Sequence, residues 1–87
     1  MYDIIYVKSG KEELARLASN CIKRQIPVTY YGGITVRLEV VPGWKPTVKR
    51  WLTSLKSFSE KNGHVFELET YVESNGEYVY TENYFEK

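Results

Sequence analysis

The side chains that most often do chemistry are few and scattered in this sequence. His64 is its sole histidine, Cys21 its sole cysteine and Asp3 its sole aspartate. A metal site needs several convergent ligands, and alternation along a strand turns Glu67 away from His64. Cys21 lies on the apolar stripe of a helix, where a buried and unreactive thiol is expected. Ser9, Ser19, Ser54, Ser57, Ser59 and Ser74 have no surrounding motif that would activate a nucleophile. Gly32-Gly33 leads into a strand and lacks the Gly-Lys-Ser/Thr ending of a phosphate loop. No catalytic residue, metal or cofactor is therefore assigned, and the chain is expected not to be an enzyme.

What does stand out is a segment where acid and tyrosine recur together. Residues 1–63 carry eleven Lys and Arg against five Asp and Glu, a balance of +6. Residues 64–87 carry one lysine against six glutamates, a balance of −5. Asn75-Gly76 inside this segment is the strongest short signal for a tight β-hairpin. Pairing across it sets Val72 against Val79, Thr70 against Thr81, Leu68 against Asn83 and Phe66 against Phe85 on a buried face. The reverse face then carries Glu67, Glu69, Tyr71, Glu73, Tyr78, Tyr80, Glu82 and Tyr84, with Glu69 opposite Glu82. A slip of one residue would bury the glutamates, so burial enforces this register. Tyrosine is enriched at protein interfaces, and clustered carboxylates complement a basic surface.

The elements that must position these residues follow from periodicity. Tyr2 to Lys8 reads as a strand rich in Ile, Val and Tyr. Ser9 and Glu12 have capping-box spacing, and Leu14, Leu17, Ala18, Cys21 and Ile22 recur at helical spacing over residues 10–25. Pro27 ends that helix. Val28 to Tyr31 and Ile34 to Val41 form two strands around Gly32-Gly33, with Ile34, Val36, Leu38 and Val40 on the core side. Pro46 opens a second helix whose stripe is Val48, Trp51, Leu52, Leu55 and Phe58, and Asn62-Gly63 stops it. The order predicts one α+β domain spanning residues 1–87. It has two layers and is ferredoxin-like, β-α-β-β-α-β with an extra C-terminal strand that completes the hairpin.

Two functional expectations follow. The first is a non-enzymatic inhibitor or regulator that docks on a protein partner with a basic surface through the acidic tyrosine face, whose carboxylates also imitate a phosphate array. Small size suits an inhibitor of the kind bacteriophages encode against host nucleic-acid-handling or defence complexes. The second is an RNA- or single-strand-binding module using Lys45, Lys49, Arg50 and Lys56 of the second helix with Tyr2 and Tyr6 of the first strand. Residues 2–9 resemble the first strand of RelE-type ribonuclease toxins. That family continues with two helices and a basic sheet, which this chain does not, so nothing of it is carried over. No run approaches the length of a membrane span, no leader is evident at the N-terminus, and a lone cysteine suits a reducing cytoplasm. An exposed edge strand leaves room for homodimerisation.

Overall fold

The computed structural model describes residues 1–86. The elements are β1 (Asp3–Lys8), α1 (Lys11–Lys23), β2 (Val28–Tyr31), β3 (Thr35–Val40), α2 (Lys45–Lys61), β4 (Glu67–Ser74) and β5 (Glu77–Tyr80), with 3-10 turns at Pro42–Trp44 and Tyr84–Glu86. The strands make one antiparallel sheet in the order β2-β3-β1-β4-β5. Both helices cover one face of it, giving a small α+β domain.

Side-chain alternation divides that sheet cleanly. Ile5 and Val7 of β1 and Val36, Leu38 and Val40 of β3 are fully buried against Leu14, Leu17 and Cys21 of α1 and Val48, Leu52 and Leu55 of α2. Each such aliphatic side chain contributes about 1.5–3 kcal/mol on leaving water. The intervening residues, among them Tyr6, Lys8, Arg37 and Glu39, must then point to the face that carries no helix.

Both turns form where the glycines allow them. Gly32 and Gly33 take φ of 64° and 85°, and Tyr31 pairs with Thr35 across the loop. Asn75 and Gly76, at φ of 52° and 82°, close the second hairpin with Tyr71 opposite Tyr80, Val72 opposite Val79 and Glu73 opposite Tyr78. Glu73 Oε2 accepts the Gly76 N–H at 2.7 Å and braces that turn.

Some expectations are corrected. The cap of α1 is Gly10, not Ser9, and the reciprocal glutamate is Glu13, whose Oε1 accepts the Gly10 N–H at 3.2 Å. Ser9 is withdrawn into the interior, where its hydroxyl is used elsewhere. Ile22 is 68% exposed and Ile34 45% exposed. The chain turns at Gln25 (φ 59°) and it is Ile26, just past that turn, that is buried in the core, while Ile34 sits in the turn ahead of β3.

The largest correction is at the C-terminus. Pairing continues to Thr70 and Thr81, whose N–H bonds the Thr70 carbonyl at 2.9 Å. Asn83 then adopts φ of 57°, a left-handed conformation that breaks an extended run. Leu68–Asn83, Phe66–Phe85, Glu67–Tyr84 and Glu69–Glu82 are therefore not pairs. Tyr84 folds under the sheet, is 4% exposed and donates its hydroxyl to Asp3 Oδ2 at 2.6 Å, with Lys45 Nζ 4.1 Å from its ring centroid. Burying this ring against the core outweighs two more rungs of an exposed ladder. The expected consequence is that Tyr84→Phe, which removes only the hydroxyl, lowers stability by about 1–2 kcal/mol in urea denaturation. An unchanged midpoint would show that the bond to Asp3 contributes nothing.

Candidate functional site

The helix-free face of the sheet gathers most of the tyrosines. Register sets Tyr6 of β1 between Arg37 of β3 and Glu69 of β4, and Ile4 between Glu39 and Tyr71. Ring contacts run across the sheet from Tyr31 to Tyr6 (6.1 Å between centroids), Tyr6 to Tyr71 (5.9 Å) and Tyr71 to Tyr80 (5.7 Å). Tyr2, just ahead of β1, stacks on Tyr78 of β5 at 5.9 Å. Under these rings Ile4 is only 6% exposed although it faces away from the helices. The rings thus make a second, thin apolar layer. Each is worth its buried area plus about 0.5–1.5 kcal/mol per well-oriented pair.

Charge on this face is placed unevenly. Arg37 Nη1 lies 2.7 Å from Glu39 Oε2 on the same strand. That pair, then Tyr6 and Tyr2, hold the guanidinium firmly in its charged form against partial burial. Glu67 and Glu69 are exposed, and Glu69 Oε1 accepts the Tyr71 hydroxyl at 3.3 Å. Partial desolvation and the neighbouring Glu69 charge raise the Tyr71 hydroxyl above its ordinary pKa. A hydrogen bond with Tyr2 and then desolvation push Tyr78 up to about 12. Both phenols therefore stay neutral, as donors with electron-rich faces. Among the described residues Arg37–Glu39 is the salt bridge of this face, while Glu67, opposite Lys8 in register, and Glu69 make none.

The sequence-derived residues are brought together only in part. Glu67, Glu69, Tyr71, Glu73, Tyr78 and Tyr80 do share the open face, and Tyr2 and Tyr6 join them. Tyr84 is buried on the opposite side, and Glu82 lies past the end of β5. Lys49, Arg50 and Lys56 are exposed on α2, beneath the sheet, so they do not combine with Tyr2 and Tyr6 into one surface. Lys45 is occupied over the Tyr84 ring. Trp44 packs against the core, and Tyr30 turns to the helix side, its hydroxyl 3.5 Å from the Leu14 carbonyl. Tyr31, Arg37 and Glu39 belong to the face and were not among the site residues expected from sequence, although alternation already set Arg37 and Glu39 on the side away from the core. Counting alternate positions outward from Tyr6 along paired strands would have found them.

A second polar constellation was also missed. Glu13 is 1% exposed, and its Oε1 accepts the Gly10 N–H, the Ser9 hydroxyl at 3.2 Å and His64 Nδ1 at 2.7 Å. Ser9 Oγ also lies 3.0 Å from Ser59 Oγ, whose single proton goes to the Val65 carbonyl at 2.9 Å. Burial would raise the Glu13 carboxyl, but bonds from His64, its own backbone and Ser9 outweigh it and hold it below the usual value. Gly10 must lack a side chain, because a Cβ there would lie 2.4 Å from His64 Nδ1 and 2.7 Å from Glu13 Oε1. Neither serine reaches an activated position, since each hydroxyl is spent on Glu13, on its serine neighbour or on a carbonyl. Cys21 is equally withdrawn, its thiol pushed up to about 11 by burial.

Among the described residues, no three His, Cys, Asp or Glu side chains converge to hold a metal ion, and no helix is long and apolar enough to cross a membrane. No family model matches the chain, and neither a curated protein nor a solved structure matches it.

Two outcomes are expected of the Glu13 network. A carboxyl whose pKa is depressed on folding contributes stability that is present above the unfolded value and is lost as pH falls through the folded one. The urea midpoint of the native chain should thus drop more steeply below pH 4.5, the ordinary glutamate value, than that of Glu13→Gln. Equal slopes would remove Glu13 from the linkage. Gly10→Ala should cost about 1–3 kcal/mol in the same measurement, because the new methyl group has to displace His64 from the carboxylate.

Proposed function

We propose that this chain is a non-enzymatic binding protein that docks on a basic surface of a protein partner through the open tyrosine face of its sheet. The carrying observation is that exposed Glu67 and Glu69, neither in a salt bridge among the described residues, share with Tyr6, Tyr71, Tyr78 and Tyr80 the one sheet face that no helix covers. Lys8 opposite Glu67 and Arg37 on Glu39 are the basic residues there. Tyrosine offers large, rigid contact area with a polar tip, the residue type enriched where proteins meet. Unpaired carboxylates beside it speed encounter with a positive surface and reject negative ones. The fold that goes with this reading is ferredoxin-like. It is supported by two β-α-β crossovers and by strand order once β5 is set aside as an addition at one edge.

The same chemistry suits a mimic of nucleic acid that occupies a phosphate-binding surface, such as that of a host nucleic-acid-handling or defence complex targeted by a phage-encoded inhibitor in the cytoplasm. Binding to RNA or single-stranded DNA is the weaker alternative. Tyr2 and Tyr6 offer stacking surfaces, but the carboxylates beside them repel phosphates, and the lysines of α2 lie under the sheet. A homodimer through the β2 or β5 edge is compatible with either.

The deciding experiment reverses Glu67 and Glu69 to lysine together. Glu73 is left alone because it braces the turn, and Glu82→Lys, past the end of β5, is the control. Capture of the partner by the tagged chain should fall about tenfold or more for the double reversal and hold for the control. Undiminished capture by the double variant would rule out docking through this face.

A further inference from the structure

One corner of the open face has the form of a subsite. Ile4, Tyr6, Glu69, Tyr71 and Tyr78 line an open concavity of about 390 Å³. Buried Ile4 makes its floor. Tyr6 and Tyr71 meet nearly at right angles, with planes 84° apart and centroids 5.9 Å apart, so they form two adjoining walls. Tyr78, fixed by stacking on Tyr2, adds a third. Glu69 supplies a carboxylate at the edge, oriented by the Tyr71 hydroxyl. Ring faces carry negative potential, and a concavity walled by rings with an anion at its lip attracts a cation with an organic body.

The same face already holds one guanidinium on a carboxylate. Arg37 lies flanked by Tyr6 in register, with its guanidinium on Glu39 at 2.7 Å. On the other side of Tyr6, its register partner is Glu69, a carboxylate that makes no salt bridge among the described residues. The wall is shared, the anion is present, and the second guanidinium is what a partner would bring.

We infer that the Tyr6–Tyr71–Tyr78–Glu69 concavity is an arginine-binding subsite, taking a guanidinium side chain that the basic partner presents. Arginine fits better than lysine for a physical reason. Its flat ion stacks on a tyrosine face while its fork donates two hydrogen bonds to one carboxylate, and it sheds water more readily than an ammonium. The inference rests on the docking reading above, and it names the anchor of that contact.

The test uses the whole chain and short capped peptides, acetyl-Gly-Arg-Gly-amide and its lysine and citrulline counterparts, titrated by NMR. The arginine peptide should shift the ring signals of Tyr6, Tyr71 and Tyr78 and the Glu69 side chain, saturating at roughly 1–10 mM as a lone side-chain contact would. Citrulline, which keeps the shape and loses the charge, should give no saturable shift. Glu69→Gln, which preserves size and an acceptor for Tyr71, should weaken arginine binding about tenfold. Tyr71→Leu should abolish it, and unchanged amide signals in the core strands would show that the fold is intact. Equal binding of lysine and arginine, equal binding by Glu69→Gln, or shifts scattered over α2 would each overturn the assignment. If the peptide fails while the Glu67/Glu69 reversal still abolishes partner capture, the docking face stands and the arginine subsite falls. If the peptide binds at the concavity while capture survives the reversal, the subsite stands and the docking reading falls.

Discussion

A single buried carboxylate organises this small domain. Glu13 sits in the first turn of α1, and its Oε1 gathers donors from the end of β1, from the helix cap and from the start of the connection that leads into β4. Through Ser9 and Ser59 the same network reaches α2. An ionised group with almost no solvent exposure is tolerated only when its charge is met by hydrogen bonds. The requirement works in both directions. The bonds keep the carboxylate charged, and the carboxylate obliges two separate segments, the β1–α1 connection and the start of the α2–β4 connection, to stay where their donors can reach it. Gly10 is part of that bargain, because no other residue leaves room for the His64 ring.

The position of β4 follows from this anchoring. His64 and Val65 are tied down at the end of α2, and β4 then enters beside β1, so that Tyr71 and Glu69 come to flank Ile4 and Tyr6. The tyrosine face is thus assembled from chain segments far apart in sequence, on a sheet whose other side is committed to the helices. A network in the interior and a surface on the outside are linked by strand register, not by direct contact.

That arrangement also explains why basic and acidic residues separate. The lysines and arginines of the helices lie beneath the sheet, while the glutamates of β4 lie above it. Arg37 and Lys8 are the exceptions: Arg37 is answered by Glu39 on its own strand, and Lys8 stands opposite Glu67 in register. The result is a domain with opposed electrostatic faces, of which the acidic one also carries most of the aromatic surface.

The order of helices and strands, both glycine turns, the apolar stripes and the Tyr71–Tyr80 register were legible in the sequence. Each is a local consequence of periodicity or of a residue that tolerates a left-handed backbone. The acidic tyrosine strip of β4 and β5 was legible for the same reason, since alternation and a two-residue turn leave one solution. The sequence alone could not say where the last strand stops. Asn83 and Tyr84 fit an extended strand as well as a turn, and the choice was made by the Tyr84 ring burying against the core and bonding Asp3. Nor could it place Glu13, Ser9, Ser59 and His64 together, because their meeting depends on helix packing across about fifty residues of chain. The concavity between Tyr6, Tyr71, Tyr78 and Glu69 likewise exists only because β4 pairs with β1 in one particular register. Local chemistry determined which residues face outward, and long-range packing decided which of them became neighbours.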